Sequence, residues 1–509
     1  MTPPEQTPAR VRPLLVLVSL PILGFWLFAK TALLRHLDYI GDLFSFLQMS
    51  RSFAQGRPLL FENAFGNGAA LHNWYLVPLF FPLTSWLGAR GLFVGLLVLW
   101  GLAVAAVDQL RRERLQSGSG YAAIAVALLL GPVAFWLVDD LPYGFNVELV
   151  FCPLAVLFAA SLARGSRAAW LWGALIALTR EDGPVLAWAI QALAVFLRAP
   201  RSPGGNARGR WLALARVTAL WLAVFAAEIA WLLHETPAGR PSRVGASLDA
   251  LRHLFSTPDA ARSLGTSFLD AALLLAAGVL AVALWVPARA ALAGAVAAVP
   301  LLLALAVASQ LYGGIGILAR GPSWAPRFAF LWGYLAAVSV LGVACSAAGE
   351  RSPRRAVVPA LAVALSLAAQ YGALSWRLSY SVANRLSWRT LARGKGLFAS
   401  SLGAGERAFL DCLAERIPRA TVVQTNLSLF AIFERQDLVW PDHPRENTWT
   451  GVYAQLMVCD IAGRAGPDRC LDWQRELPET GFERTRVDGL QIAYGRTVAG
   501  IVEACAPSR

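Results

Sequence analysis

The chain has 509 residues, of which 57% are hydrophobic and 15% are charged, and its mean hydropathy is +0.52. This composition excludes a water-soluble globular protein and a disordered chain. The formal net charge is +13. No basic patch is interleaved with base-stacking aromatic residues, so nucleic acid is not predicted as a partner.

Apolar runs spread over the first three quarters of the chain predict an α-helical polytopic membrane protein. A helix needs about 20 apolar residues to cross the hydrocarbon, and most of the runs come close to that length, which gives about 11 transmembrane helices. The predicted spans are roughly 13–34, 91–108, 121–138, 146–163, 168–178, 184–197, 211–233, 265–286, 290–308, 328–347 and 356–376. A shorter run with two prolines, Trp74–Leu87, predicts an interfacial or re-entrant helix.

Arginine placement predicts the orientation of these spans. One set of loops is rich in arginine and poor in acids, and it comprises 1–13, 109–118, 164–168, 198–210, 287–289 and 348–355. The opposite set contains acids and arginines in similar numbers, and it comprises 35–73, 139–145, 179–183, 235–264 and 309–327. The first set is predicted to be cytoplasmic. We therefore expect a multi-pass protein of a bacterial inner membrane, with its N-terminus in the cytoplasm and its C-terminal part in the periplasm.

The first outer loop, residues 35–73, carries two candidate catalytic acids. Asp38 and Asp42 are four residues apart, so a helix would place both on one face. A partly desolvated carboxyl group at the interface has the raised pKa that suits a general base. The alternative is that both acids are solvated and pair with Arg35 or Arg51.

Residues 179–184, Thr-Arg-Glu-Asp-Gly-Pro, interrupt two apolar runs. Ionisable groups at membrane depth are functional candidates, and Gly-Pro indicates two half-helices that meet at a break. Arg320 and Arg327 precede the tenth span on the same predicted side, and arginine binds phosphate bidentately. No histidine spacing typical of a zinc site appears, so the identity of any metal stays open.

Residues 378–509 are more polar and predict a small α/β domain. Asp488-Gly489 predicts a hairpin turn, and Leu427–Phe433 predicts a short helix. Four cysteines lie here, and an even number in an oxidising compartment permits two disulfides with three pairings. The cysteines are Cys412, Cys459, Cys470 and Cys505. A bridge between Cys459 and Cys470 is favoured, and four buried thiols are the alternative.

These features together resemble the GT-C superfamily of membrane glycosyltransferases. Its members carry an acidic motif on an interfacial helix of the first outer loop that ends in glycine, as Asp42 and Gly56 would here. The segment 179–184 resembles the Thr-Lys-Gly-Pro-like turn of protein mannosyltransferases and aminoarabinose transferases, with two residues inserted. Asp42 lacks the adjacent second acid that many members have.

The layout also resembles a family of uncharacterised bacterial membrane proteins that end in a small outer α/β domain. That family has a Phe-His-Pro-Glu-like motif, to which Phe145–Glu148 corresponds with Asn146 in place of histidine. It also has a Lys-Glu-Asp motif, to which residues 180–182 correspond. The resemblance covers residues 50–380 in layout.

The resemblance implies transfer of a sugar from a polyprenyl-phosphate donor to an extracytoplasmic acceptor with inversion. Asp42 would be the base, with Asp38 beside it, and Arg180, Arg320 or Arg327 would hold the donor phosphate. The residues implied in shaping the sugar site or binding a divalent cation such as Mg²⁺ or Mn²⁺ are His72, Asn73, Asp139, Asp140, Glu148, Glu181 and Asp182.

Two other classes stay open at the level of sequence. A secondary transporter or lipid flippase also has broken helices and paired charges. Against it, the acids gather at one predicted face, and no inverted repeat is evident. The other class is a non-catalytic envelope assembly protein, in which 179–184 would be a structural turn with Arg180 paired to Glu181 or Asp182.

Overall fold

The protein is described by a computed structural model. The described residues are 13–39, 41–63, 66–67, 72–114, 118–140, 143–198, 207–236, 275–282, 285–311, 325–345, 354–377, 402–426, 429–439, 446–447, 452–462 and 481–506, with isolated positions such as 470 and 474.

The described part of the chain is mainly helical, and a small sheet lies near its C-terminus. Its helices are α1 Leu14–Arg35, α2 Asp42–Arg51, α3 Phe81–Leu87, α4 Arg90–Glu113, α5 Gly118–Ile124, α6 Pro132–Asp139, α7 Phe151–Arg164, α8 Ala168–Ala177, α9 Gly183–Leu197, α10 Ala207–Glu235, α11 Ala288–Leu311, α12 Ala325–Ala344, α13 Arg354–Arg377, α14 Ala404–Arg416 and α15 Ala499–Cys505.

The number of membrane spans is smaller than the sequence predicts. Among the described residues, four helices have the length and apolar composition to cross a membrane, and a bent pair could be a fifth. The four are Leu14–Arg35, Arg90–Glu113, Val147–Arg164 and Arg208–Glu235. The count of eleven is therefore wrong for this part of the chain, because other apolar helices such as α8 and α9 have only 10 and 15 residues.

The sequence predicts one uninterrupted span at 121–138 and a break at 179–184, and the structure has a bend in the first and a break at the second. The third predicted span is not straight: Gly118–Leu129 and Pro132–Asp139 meet at 41°. Pro132 explains the bend, since proline lacks the N–H that would continue the helical hydrogen bonds. The break at 179–184 lies where the sequence predicts it, between the end of α8 and the start of α9.

Helix α7 lies at the centre of the helical part. Every residue from Phe151 to Ser161 is buried, as expected for a helix that is apolar on all sides. Helices α4, α8, α9 and α12 pack around it. The short segment Val147–Val150, a 3₁₀ turn, leads into α7 and carries Glu148 into this packed region.

The C-terminal unit, residues 402–506, contains a mixed five-stranded sheet. Its strands are β3 Val422–Thr425, β4 Asp437–Val439, β7 Leu456–Asp460, β8 Phe482–Val487 and β9 Leu490–Gly495. The strand order is β4-β3-β7-β9-β8, in which β3 runs parallel to β4 and β7 and the other pairs are antiparallel. The C-terminal unit also contains a pair of two-residue strands, β5 Glu446–Asn447 and β6 Val452–Tyr453. A similar pair lies in the first loop and consists of β1 Phe61–Glu62 and β2 Gly66–Asn67.

The hairpin and the disulfides of this unit can be compared with the sequence. Asp488-Gly489 connects β8 to β9 with Asp488 at a φ of 46°, so the predicted hairpin is present. The structure contains the bridges Cys412–Cys505 and Cys459–Cys470, the second being the pair that the sequence favours. Of the short helix predicted at Leu427–Phe433, residues 427–428 lie outside the described residues, residue 429 is in a 3₁₀ turn, and residues 430–433 form turns and a bend.

Candidate active site

The break between α8 and α9 positions three charged residues. Thr179 Oγ1 donates to the carbonyl oxygen of Leu175 at 2.8 Å and closes the last turn of α8. A Cβ atom on Gly183 would collide with the carbonyl group of Ile176, so glycine permits the tight return of the chain. The turn between them presents residues 180–182 to the helices around it.

Arg180 lies in this turn between two carboxylates. Its guanidinium forms ion pairs with Glu148 and Asp182, and its Nε donates to Asp182 Oδ1 at 2.9 Å. Arg180 and Glu148 are buried, at 8% and 5% exposure. Burial lowers the pKa of Arg180, but Asp182 and Glu148 outweigh it and raise that pKa well above its ordinary value. Both hydrogen-bonding edges of the guanidinium are therefore occupied by carboxylates.

Glu181 points to the end of the first loop. Its Oε1 lies 2.7 Å from His72 Nδ1, and its Oε2 accepts the backbone N–H of Asn73 at 3.4 Å. Burial raises the pKa of Glu181, yet His72 and Arg180 lower it to about 2. The carboxylate is therefore ionised, and His72 Nδ1 donates to it. The His72 ring also lies 4.6 Å from that of Trp74.

Asn73 connects this loop to a further helix. Its Nδ2 donates to the carbonyl oxygen of Glu228 in α10 at 3.0 Å. The Glu228 side chain interacts electrostatically with Glu181 and Asp182. The sequence does not predict this fourth acid near the turn at 179–184, because a single glutamate inside a long apolar helix gives no motif.

Asp42 is the first residue of α2 and is partly exposed. Among the described residues the Asp42 carboxylate has no ion pair, so for Asp42 the predicted alternative of pairing with Arg35 or Arg51 is not what the structure contains. Burial by the surrounding protein and the negative charge of Glu148 raise the pKa of Asp42 to about 6. Glu148 therefore has an electrostatic interaction with Asp42 and an ion pair with Arg180.

Asp38 does not share a helix face with Asp42, so that prediction is wrong. Helix α2 begins only at Asp42, after Gly41 at a φ of 21°. Leu37 has a φ of 63°, so the chain changes direction between α1 and α2. The four-residue spacing of the two acids therefore spans a turn and not a helical repeat.

The ammonium group of Lys30 contacts the end of α6, where Asp139 and Asp140 lie. Its Nζ donates to the carbonyl oxygens of Val138 at 2.6 Å and Asp139 at 3.2 Å, and also to that of Gly144. The ammonium group lies 4.5 Å from the centre of the Phe93 ring. A cation satisfies carbonyl groups at the C-terminal end of a helix, here α6. The sequence places Lys30 at the end of the first span but gives no sign of this contact.

Asp140 ends α6 in the left-handed conformation, with a φ of 45°. It is fully buried, and neither carboxyl oxygen has a hydrogen-bond partner among the described residues. Burial raises its pKa well above the ordinary value, Lys30 opposes this, and Asp42, Asp139 and Glu148 add to it. Burial and the neighbouring acids therefore favour the protonated form of Asp140, and Lys30 favours the ionised form.

The remaining predicted site residues are only partly described. Arg320 lies outside the described residues, and Arg327 lies at the start of α12, where the structure describes the backbone alone. Within the described part of the chain, no three His, Cys, Asp or Glu side chains are grouped so that they could hold a metal ion. The four cysteines form the two disulfides of the C-terminal unit and do not contribute to this site.

Comparison of the chain with models of protein families, with curated proteins and with solved structures finds no significant match. The likeness to GT-C glycosyltransferases therefore stays a prediction from the motifs of this sequence.

Proposed function

We propose that the protein is an integral membrane glycosyltransferase of the GT-C type, which moves a sugar from a polyprenyl-phosphate donor to an acceptor outside the cytoplasm. The observation that carries the proposal is the partial exposure and the raised pKa of the Asp42 carboxyl group. This carboxyl group is partly exposed and unpaired among the described residues, and its pKa of about 6 suits a general base near neutral pH. It interacts electrostatically with Glu148, which is paired with Arg180 of the break at 179–184.

In the proposed reaction, Asp42 takes the proton of an acceptor hydroxyl group. The hydroxyl oxygen then attacks the anomeric carbon, and the bond from that carbon to the phosphate oxygen breaks. The products are the glycosylated acceptor and polyprenyl phosphate, and the anomeric configuration is inverted. Glu148 favours this step because its negative charge makes Asp42 more basic.

Arg180 enters this proposal differently from the role that the resemblance implies. Its guanidinium is paired with Glu148 and Asp182, so a donor phosphate would have to displace two carboxylates. Its more direct role is to hold Glu148 beside Asp42. Arg327 and Arg320 stay the proposed phosphate ligands. The described carboxylates do not provide a grouped set of metal ligands, so no step is assigned to Mg²⁺ or Mn²⁺.

The proposed location is the inner membrane of a bacterium, with the N-terminus in the cytoplasm and the C-terminal unit in the periplasm. Two disulfides in the C-terminal unit support this, since disulfides persist in oxidising compartments. The test is alkylation of intact cells with a membrane-impermeant maleimide, before and after reduction. Labelling of the C-terminal cysteines only after reduction is expected, and labelling only after cell lysis would contradict this topology.

The activity is tested with purified protein in liposomes that contain a panel of polyprenyl-phosphate sugars and an extract of envelope acceptors. Release of polyprenyl phosphate is followed by mass spectrometry for the wild type, Asp42→Asn and a control, Glu415→Gln, which changes an exposed acid of α14. Release by the wild type and the control but not by Asp42→Asn is expected. Equal release by Asp42→Asn would remove Asp42 as the base. Movement of the intact donor across the bilayer without cleavage would favour a flippase.

A further inference from the structure

Residues of the first loop form hydrogen bonds and an ion pair with the C-terminal unit. Strand β4 is an edge strand of the five-stranded sheet. An exposed sheet edge presents unpaired backbone groups, and proteins commonly cover it. Here the cover is formed by residues of α2 and of the loop that follows it.

The carbonyl oxygen of Leu438 in β4 is the centre of this contact. It accepts hydrogen bonds from Gln48 Nε2 at 3.0 Å and from Asn63 Nδ2 at 2.8 Å. The Oε1 atom of Gln48 in turn accepts the backbone N–H of Asn63 at 3.0 Å. Helix α2 and the return of the first loop are therefore joined to each other and to the same strand.

Two charged side chains extend this contact. Arg57 lies 2.6 Å from Asp437 and also donates to Asn63 Oδ1 at 3.1 Å. Arg51, the last residue of α2, donates to the carbonyl oxygen of Glu434 at 3.2 Å. The Glu434 carboxylate accepts the backbone N–H of Ala89 at 3.0 Å, where α4 begins. Together these contacts bind the C-terminal unit both to α2 and to the helical part.

We define the first-loop clamp as these contacts. Its members on the first-loop side are Gln48, Arg51, Arg57 and Asn63, and on the C-terminal side Glu434, Asp437 and Leu438. Helix α2 has only 10 residues, and an isolated helix of that length is marginal in water. Its position therefore depends on packing, to which the ring of Phe44 against that of Phe430, 5.6 Å apart, also contributes.

We propose that the C-terminal unit is a positioning element of the active site, which acts through the first-loop clamp to hold α2 and thereby set Asp42 beside Glu148. Asp42 begins the helix whose other end is clamped, so a tilt of α2 moves the carboxylate directly. No described hydrogen bond or ion pair joins the residues of the clamp to the acids at 180–182. This inference rests on the proposed function.

The test uses the full-length protein with Arg57→Ala, Asp437→Ala and the exchanged pair Arg57→Asp/Asp437→Arg. Displacement of a catalytic group by about 1 Å can lower a rate by 10²-fold, so a fall in kcat of about 10- to 100-fold with unchanged donor KM is expected for the single variants. The exchanged pair should recover part of kcat. The control is Arg416→Ala, which removes an exposed arginine at the end of α14 in the same unit and should leave kcat unchanged.

A second measurement separates this inference from the proposed function, because it needs no activity. Isotope-edited infrared spectroscopy of ¹³C-labelled aspartate, with Asp42→Asn as the reference, gives the titration midpoint of Asp42. Among the described residues, the titratable groups that interact electrostatically with this carboxyl are Glu148 and Asp140. Loosening α2 should expose Asp42 to water and move its midpoint to lower pH. A normal kcat and an unchanged midpoint in Asp437→Ala would overturn the inference. If the wild type has no transferase activity but the midpoint shifts, only the proposed function fails.

Discussion

Replacement of Arg180 by alanine should destabilise the protein more than any exposed arginine does. Arg180 pairs with Glu148 and Asp182, and its removal leaves two carboxylates with little access to water. Breaking a buried ion pair by removal of one partner costs about 3–5 kcal/mol. The side chain of Asp182 is 19% exposed, which places the expected loss in the lower part of that range.

The assay is thermal unfolding in detergent micelles, followed by intrinsic fluorescence. A loss of this size should lower the apparent Tm by roughly 5 °C or more. The matched control is Arg407→Ala, whose pair with Asp411 has side chains that are 35% and 54% exposed. Exposed ion pairs contribute about 0–1 kcal/mol, so the control should unfold near the wild-type temperature.

The pH dependence provides a sharper check of the same reasoning. Burial raises the pKa of Asp182 and Arg180 opposes this, so without Arg180 the folded-state pKa of Asp182 should lie still further above its value in the unfolded chain. Stability is then retained below the unfolded pKa of about 4 and is lost as pH rises through the folded pKa. The Tm deficit of Arg180→Ala should therefore grow from pH 4 to pH 7. The added change Glu148→Gln should reduce it. A deficit that is absent at pH 7.5, or that shrinks as pH rises, would refute the buried-pair account.

Two further predictions concern stability. Lys30→Met should lower the free energy of unfolding by about 3 kcal/mol, because carbonyl groups buried at the end of α6 lose a charged donor; an unchanged Tm in micelles would contradict this. Opening the Cys412–Cys505 bridge, which closes a sequence separation of 93, should destabilise the C-terminal unit by about 4–5 kcal/mol, whereas opening Cys459–Cys470, with a separation of 11, should cost about 3 kcal/mol. Resistance to trypsin should fall further in the Cys412→Ser/Cys505→Ser double variant than in Cys459→Ser/Cys470→Ser, and the reverse order would contradict the loop-length argument.

The parts of the structure that the sequence predicts are those with a local cause. Gly183-Pro184 cannot continue α8 through the turn, so the break at 179–184 follows from the chain itself. Asp488-Gly489 favours the left-handed backbone of a tight hairpin, and both flanking strands are present. The order of such features along the chain is therefore readable without the structure.

The parts that sequence reasoning misses depend on distant contacts. Lys30 meets the carbonyl groups that end α6 more than 100 residues later, and no spacing in the chain indicates that meeting. In the first-loop clamp, Gln48 contacts Leu438, which lies 390 residues away in the sequence. The four-residue interval between Asp38 and Asp42 predicts one helix face, but the same interval also occurs when a turn separates the two residues, as it does here.

The transport and assembly classes differ from the transferase in what Asp42 does. In a transporter, the acids around Arg180 would exchange protons or ions without bond cleavage. In an assembly protein, they would stabilise the break at 179–184 and nothing else. Neither class requires the rate of a sugar transfer to depend on the protonation of Asp42.

The most direct test of the central claim is the pH dependence of sugar transfer under single-turnover conditions, measured for the wild type and Asp42→Asn. The wild-type rate should rise with pH and reach half its maximum near pH 6, because the pKa of Asp42 is about 6 and only the ionised carboxylate takes the acceptor proton. The Asp42→Asn variant, folded and with normal donor binding, should lose this rise together with almost all of the rate. Full transfer by Asp42→Asn, or a wild-type rate that does not change between pH 4.5 and pH 8, would contradict the assignment of Asp42 as the base.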